Sequence, residues 1–258
     1  MQERHTNRER YFDETIHTST KYYIPYIEKF ISLNKATSVL EVGCGDGGNL
    51  LPFARKGCEV VGIDLSNTLI EGGKEFYKDR DIDGTLMAAN IFDIEPEKQY
   101  DLIIIHDVIE HITEKKAFLS HVKRFLKPQG IIFIAFPAWQ MPFGGHQQLT
   151  HSKVLSHLPF FHLLPASLYK FILNTAGEPK DTVDELLDIK KCRTTIEMFH
   201  RLTKETGLEI ADENLYFINP HYEIKFKLKP RRLPALIKGI PYIRNFFTTS
   251  CFYIVRHR

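Results

Sequence analysis

One junction limits what this chain can fold into. The apolar run Val39-Leu40-Glu41-Val42 ends in Gly43-Cys44-Gly45-Asp46-Gly47-Gly48 and passes straight into a helical pattern. Glycines at 43 and 45 let the backbone take φ > 0 and leave bare main chain against which a ligand can press. The N–H groups at the start of the next helix are expected to be unpaired, and so to favour an anionic group. A second apolar run closes on Asp64, 19 residues after Gly45, where a carboxylate can accept hydrogen bonds from both hydroxyls of a ribose. The turn and its distal acid read as a cradle for an adenosine-bearing cofactor.

Spacing alone leaves two readings, because Gly43, Gly45 and Gly48 also satisfy the G-x-G-x-x-G of a dinucleotide-binding turn. Glu41 separates them. It sits inside the end of an apolar strand, where a carboxylate is costly unless it meets a donor or a cation; the ammonium group of an amino acid would satisfy it. Two further blocks follow, Tyr100-Asp101-Leu102-Ile103-Ile104-Ile105-His106-Asp107-Val108-Ile109-Glu110-His111 and Leu126-Lys127-Pro128-Gln129-Gly130-Ile131-Ile132-Phe133-Ile134. With these three blocks in order, residues 37–136 resemble the class I S-adenosylmethionine-dependent methyltransferases, in particular the small-molecule branch that includes the quinone-biosynthesis enzymes.

The resemblance implies S-adenosyl-L-methionine as cofactor. Glu41 would orient the methionine ammonium, Gly43, Cys44 and Gly45 would pass along the methionyl and ribose portions, and Asp64 would hold the ribose diol. Leu65 would pack on the adenine face. Asn90-Ile91 stands where family members commonly place an acidic residue for the adenine amino group; an Asn side-chain carbonyl can accept from that amine, so both residues are assigned to adenine, with Asp93 as competitor. His106 and Asp107 follow the fourth strand, and in an open α/β sheet the ligand crevice lies outside the carboxyl ends of the strands. Both are therefore expected near the sulfonium.

A hydroxyl acceptor needs somewhere to send its proton, and a histidine suits that task. His106, His111 and His146 are candidates, of which His111 fits a structural role at a helix start better. The catalytic set is therefore His106, Asp107 and His146. His146, His151, His157 and His162 fall within 17 residues, but no Cys or carboxylate lies close by and their spacing does not align ligands on one helix face. No metal is expected.

Alternation of strands at 38–42, 59–63, 85–88, 102–105 and 131–136 with helical patterns at 48–56, 66–79 and 114–127 predicts a parallel sheet covered on both faces. Thr113 is the expected cap of the last helix, and Pro128-Gln129-Gly130 its stop. An apolar repeat at 19–33 predicts a cap helix, about 15–33, that folds over the cofactor. After Pro137 some 55 residues of short helical pieces are too long for an ordinary connection, so 137–193 reads as a lid insertion. Among its aromatics, Trp139, Phe143, Phe160, Phe161, Tyr169 and Phe171, at least half are expected in the lid's own core. Paired glycines at 144 and 145 suggest a hinge.

Thr194-Thr195-Ile196-Glu197 is a capping box leading a helix, and strands follow at 208–218 and 250–256, with a second insertion at 219–248. The expectation is one α/β domain: a Rossmann-like, doubly wound, seven-stranded sheet, mostly parallel, with an antiparallel last strand and a helical lid after strand 5.

Net charge is only +2, yet residues 221–258 carry +8 and everything before them −6. This basic end, interleaved with Phe226, Tyr242, Phe246 and Phe247, could face an anionic membrane or a phosphate-bearing acceptor. No apolar run approaches the ~18 residues of a membrane span, and four cysteines without C-x-x-C spacing point to reduced thiols, so a cytoplasmic location is expected. The leading functional expectation is O-methylation of a small or lipid- or sugar-linked acceptor. Alternatives are methylation of RNA or protein, a nicotinamide-dependent oxidoreductase, or a non-catalytic scaffold. Base amino-methylation is disfavoured because His106-Asp107-Val108-Ile109 replaces the Asn/Asp-Pro-Pro-aromatic block. Oligomeric state leaves no signal in the sequence.

Overall fold

A computed structural model describes residues 7–258. Five strands run parallel: β1 (Ser38–Val42), β2 (Glu59–Asp64), β3 (Thr85–Ala88), β4 (Tyr100–His106) and β5 (Leu126–Phe136). Beyond β5 lie β8 (Ser250–His257), antiparallel to its neighbours, then β6 (Leu208–Ile218), then the two-residue β7 (Arg231–Arg232). The order is β3-β2-β1-β4-β5-β8-β6-β7. The sheet thus has eight strands where seven were expected. The extra one arises because Arg231 and Arg232, in the second insertion, pair with Ile218 and Tyr216 at the open edge of β6.

Alternate residues of the buried strands face opposite cores, as the pleat requires. Ile103 and Ile105 join one apolar cluster with Phe118, Leu119 and Val122 of α5 (Lys115–Val122), while Leu102 and Ile104 join another with Leu50, Leu51 and Phe53. Strand order reverses direction between β1 and β4, and the crevice at this switch point is where an open sheet binds ligands.

Three local expectations are corrected. The stretch 114–127 is not one helix: α5 ends at Val122, Lys123–Phe125 form a 3-10 turn, and Leu126 already pairs with Tyr100. Pro128 is tolerated because the register shifts between Tyr100 and Leu102, where no ladder donor is required of it. Thr113 does not cap α5; its hydroxyl lies 3.4 Å from Cys192 Sγ, and the helix starts from Glu114 without a side-chain cap.

The cap helix, thirdly, begins earlier and ends sooner than its apolar repeat implied. Asn7 accepts from the Arg10 N–H to start α1 (Arg8–Thr18), a π turn spans Ser19–Tyr23, and α2 (Ile24–Ile27) completes the rod. The widened turn buries Tyr23 and Ser19, whose hydroxyl donates to the Asn49 carbonyl.

Two insertions roof the crevice. The first packs α7 (Ala166–Thr175) against α8 (Lys180–Lys191) around a small core of Leu155, Phe161, Tyr169, Leu173, Val183 and Leu186. Of its aromatics Trp139, Phe161 and Tyr169 are buried, Phe160 and Phe171 are exposed, and Phe143 lines the pocket described below. Gly144 and Gly145, expected as a hinge, are closely packed: a Cβ on Gly144 would meet the Trp139 carbonyl and one on Gly145 the His162 ring. The second insertion supplies α10 (Tyr222–Phe226), strapped to the cap helix by Glu223, which accepts from Lys21 Nζ at 2.6 Å and Tyr22 Oη at 2.7 Å.

Candidate active site

At the head of β1, Gly43 (φ +76°) and Gly45 (φ +55°) occupy the left-handed region that favours glycine. A Cβ on Gly43 would lie 2.2 Å from Val108 Cγ2, whereas one on Gly45 would meet nothing within 4 Å, so the second glycine faces open space. The turn's amides are not left over for an anion. Gly43 and Cys44 N–H both donate to the Ile63 carbonyl, Gly45 N–H to Asp64 Oδ2 at 2.9 Å, and Gly47 N–H to the Cys44 carbonyl. This corrects the expectation of unpaired donors. The helix that follows, α3 (Leu51–Arg55), starts too late to present its own at the turn. A pyrophosphate would find these four donors taken; a cofactor without phosphate loses nothing.

Glu41 is fully buried. One carboxylate oxygen accepts from Asn49 Nδ2 at 2.9 Å, while the other, Oε2, has no partner, and neither has Asn49 Oδ1. Burial pushes Glu41 up to about 8; the Asn49 amide opposes that rise and the charge of Asp64 adds to it. Two orphaned acceptors on hydrogen-bonded neighbours fit a cationic donor such as an ammonium group. Across the turn, Asp64 accepts from Gly45 N–H and, through Oδ1, from Ser66 N–H at 2.8 Å, so each oxygen keeps a lone pair for a further donor.

Leu65 beside it is 78% exposed, an apolar face with nothing yet against it. Asn90 lies at the end of β3, its carbonyl capping a 3-10 turn by accepting from Phe92 N–H. Ile91 points into the core instead, and its carbonyl is bonded by His121 Nε2. The Cys44 thiol is buried against Gly62, leaving only its main chain near the turn.

His106 and Asp107 emerge from β4 into a pocket of about 870 Å³, counted to its solvent-open mouth, together with His146 from the lid and Asn49 beside Glu41. His106 Nε2 lies 2.7 Å from Tyr23 Oη and 3.7 Å from Asp107 Oδ2. Burial, then the charge of Asp107, raises the Tyr23 phenol well above its ordinary value, so it stays neutral. Asp107 itself has φ +53°, a strained backbone of the kind found where a side chain must be aimed.

The remaining lid histidines disperse. His162 is buried with Nε2 on the Trp139 carbonyl and is pushed down to about 4 by burial, and His157 bonds its own turn. Sequence reasoning did not single out Tyr23, whose helical spacing reads as core, nor Asn219, His221, Tyr222 and Lys225, which enter the pocket from the basic second insertion. Only the bulk of Tyr22-Tyr23 ahead of the first strand hinted at the former.

The fold and cleft define a Rossmann-like α/β protein with a cofactor crevice at the sheet's switch point. A family model described as a methyltransferase domain matches residues 10–165, and the chain belongs to that family. Over 107 residues it is 33% identical to a ubiquinone biosynthesis O-methyltransferase of Rhodopseudomonas palustris strain HaA2; the match spans 42% of either chain, so less than half of that relative's length is covered. Two solved structures share the fold. A magnesium protoporphyrin IX methyltransferase from Synechocystis PCC 6803 with bound SAH is 14% identical, with TM-score 0.56 over 94% of this chain and 84% of that one. An S-adenosylmethionine-dependent methyltransferase from Clostridium acetobutylicum ATCC 824 is 12% identical, with TM-score 0.59 over 93% and 91%.

Proposed function

We propose that the protein uses S-adenosyl-L-methionine to methylate an oxygen of a small acceptor. The observation that carries this reading is the buried, unpartnered Glu41 Oε2 at the head of a glycine turn whose amides are already paired. The family match and the O-methyltransferase relatives support it. When bound, the cofactor supplies an electrophilic methyl group on a positively charged sulfur.

Everything else is the work of the chain. Glu41 and Asn49 hold the ammonium end, Asp64 holds the ribose, and Leu65 and Asn90 receive the adenine. His106, Asp107 and His146 border the acceptor, which is brought into line with the methyl group and shielded from water by the cap helix and the two insertions. In the His106 tautomer that leaves Nε2 unprotonated, Tyr23 donates to it, and an acceptor hydroxyl can then pass its proton to Tyr23 Oη while the Tyr23 proton moves to His106; the Asp107 carboxylate then steadies the imidazolium.

The test is titration of the pure protein with adenosylmethionine and with NADH, followed by detection of adenosylhomocysteine with small phenolic acceptors. Tight NADH binding without adenosylmethionine binding overturns the reading.

A lipid-linked acceptor is a second reading, favoured by one surface of the protein. Leu236 (82% exposed), Tyr242, Ile243, Phe246 and Phe247 are exposed apolar side chains of the second insertion, joined to the lid where Phe160 meets Phe246 at 6.2 Å, and the same insertion exposes Lys227, Lys229 and Arg231. Apolar and basic side chains together fit an anionic bilayer surface. No helix among the described residues is long and apolar enough to cross a membrane. Sedimentation with anionic vesicles at low salt should carry the protein down; absence from the pellet removes the lipid contact.

A further inference from the structure

Just past β4, a 3-10 turn of Ile109–His111 presents Glu110 and His111. Glu110 is only 6% exposed, and neither of its carboxylate oxygens has a hydrogen-bond partner. A carboxyl group withdrawn from water with both oxygens unsatisfied is costly, and such a group calls for a physical account. The charge of Lys115 attracts it, but the Lys115 ammonium donates to the carbonyls of Ile112 and Cys192 and leaves both carboxylate oxygens without a hydrogen bond.

Two imidazoles lie near the carboxylate. The ligating atoms of Glu110, His111 and His146 all lie within 4.8 Å of one another, and the rings of His111 and His146 meet edge-on with centroids 5.0 Å apart. His146 is set in place by a left-handed backbone (φ +54°), a conformation that few non-glycine residues adopt. The loop behind it is pinned by buried Gln147, whose amide donates to the carbonyls of Pro142 and Leu158.

We propose that Glu110, His111 and His146 form a binding site for a divalent transition-metal ion, with Zn2+ the best match. One carboxylate oxygen and two imidazole nitrogens are the donor set of a three-ligand zinc site with an open fourth position. Tetrahedral bonds of about 2.0–2.2 Å place ligand atoms roughly 3.3–3.5 Å apart, so atoms now within 4.8 Å of one another must draw closer as the ion binds. The ion lies at the edge of the pocket that His146 shares with His106 and Asp107, where its open position can take an oxygen of a small ligand. It also ties the lid to the end of β4, and in that role His146 is a ligand and not a base.

The site does not rest on the methyl-transfer reading, because its readout is the metal itself. The full chain, stripped with a chelator and titrated with Co2+ as a spectroscopic stand-in, should develop visible ligand-field absorption that saturates at one ion per chain and is displaced by Zn2+. Changes to groups outside the ligand set cost some 10–100-fold in affinity elsewhere, so His146→Ala and Glu110→Gln, each losing a ligand, should weaken binding by more than about 100-fold. His151→Ala, on the exposed lid surface, should bind as the parent does. Far-ultraviolet circular dichroism checks folding; should Glu110→Gln misfold, His146→Ala, at a less buried position, decides. Absence of saturable Co2+ binding, or equal binding by parent and His146→Ala, overturns the proposal, whatever adenosylmethionine does.

Discussion

Affinity for adenosylmethionine should climb with pH, because Glu41 must shed a proton before it can receive an ammonium group. Its pKa of about 8 means that near pH 6 only about 1% of chains carry the carboxylate, against about half near pH 8. Deprotonation then costs roughly 2.7 kcal/mol at the lower pH and about 0.4 kcal/mol at the higher, each unit being worth about 1.4 kcal/mol. Binding should therefore tighten about 50-fold over that interval and flatten above it. Isothermal titration calorimetry in two buffers of different protonation enthalpy should also register release of nearly one proton per site on the acid side. Glu41→Gln should bind weakly with no such slope, and methylthioadenosine, which lacks the amino acid, should show none with the parent protein.

Folding carries the opposite sign. A carboxyl raised from 4.5 holds its proton in the folded chain where the unfolded chain has lost it, so the protein alone loses stability as pH rises from about 4.5 to 8. Affinity flat in pH, or a slope shared by methylthioadenosine, would refute the pairing of Glu41 with an ammonium group.

Three further outcomes are expected. Asp64→Ala should cost about 1–3 kcal/mol of adenosylmethionine binding, since it strands two ribose hydroxyls as well as the Gly45 and Ser66 amides; unchanged affinity by calorimetry would remove Asp64 from the site. His106→Ala should leave that affinity in place while turnover falls by roughly 10²–10⁴, and equal loss of both would make the residue structural. Gly43→Ala forces a side chain onto Val108 at φ +76°, and urea melts should show destabilisation of at least about 1–3 kcal/mol; a neutral result would mean that the turn relaxes.

The β/α alternation, the glycine turn and Asp64 were legible in the chain because each follows from a local rule. Two-sided burial writes continuous Ile and Val runs, positive φ selects glycine, and an acid at a strand end stands out against apolar neighbours. Element ends were less legible: helical spacing ran from Phe118 through Leu126, but Leu126 is claimed by Tyr100 across the sheet, a long-range pairing that no local pattern encodes. Arg231 and Arg232 read as part of a basic rim, and became a strand only because β6 left an edge open beside them.

By itself the sequence determined the order of strands and turns, and with it the places of Glu41 and Asp64 near the ends of β1 and β2, on which the proposed cofactor site is built. Tertiary structure alone decided what those residues meet. It spent the turn amides on Ile63 and Asp64, left Glu41 Oε2 without a partner, set Tyr23 against His106 across 83 positions of chain, and gathered His146 with Glu110 and His111. Such contacts depend on where three separate segments come to rest. Their positions follow from the packing of the two insertions and the cap helix on the sheet, and periodicity along the chain carries no record of that packing.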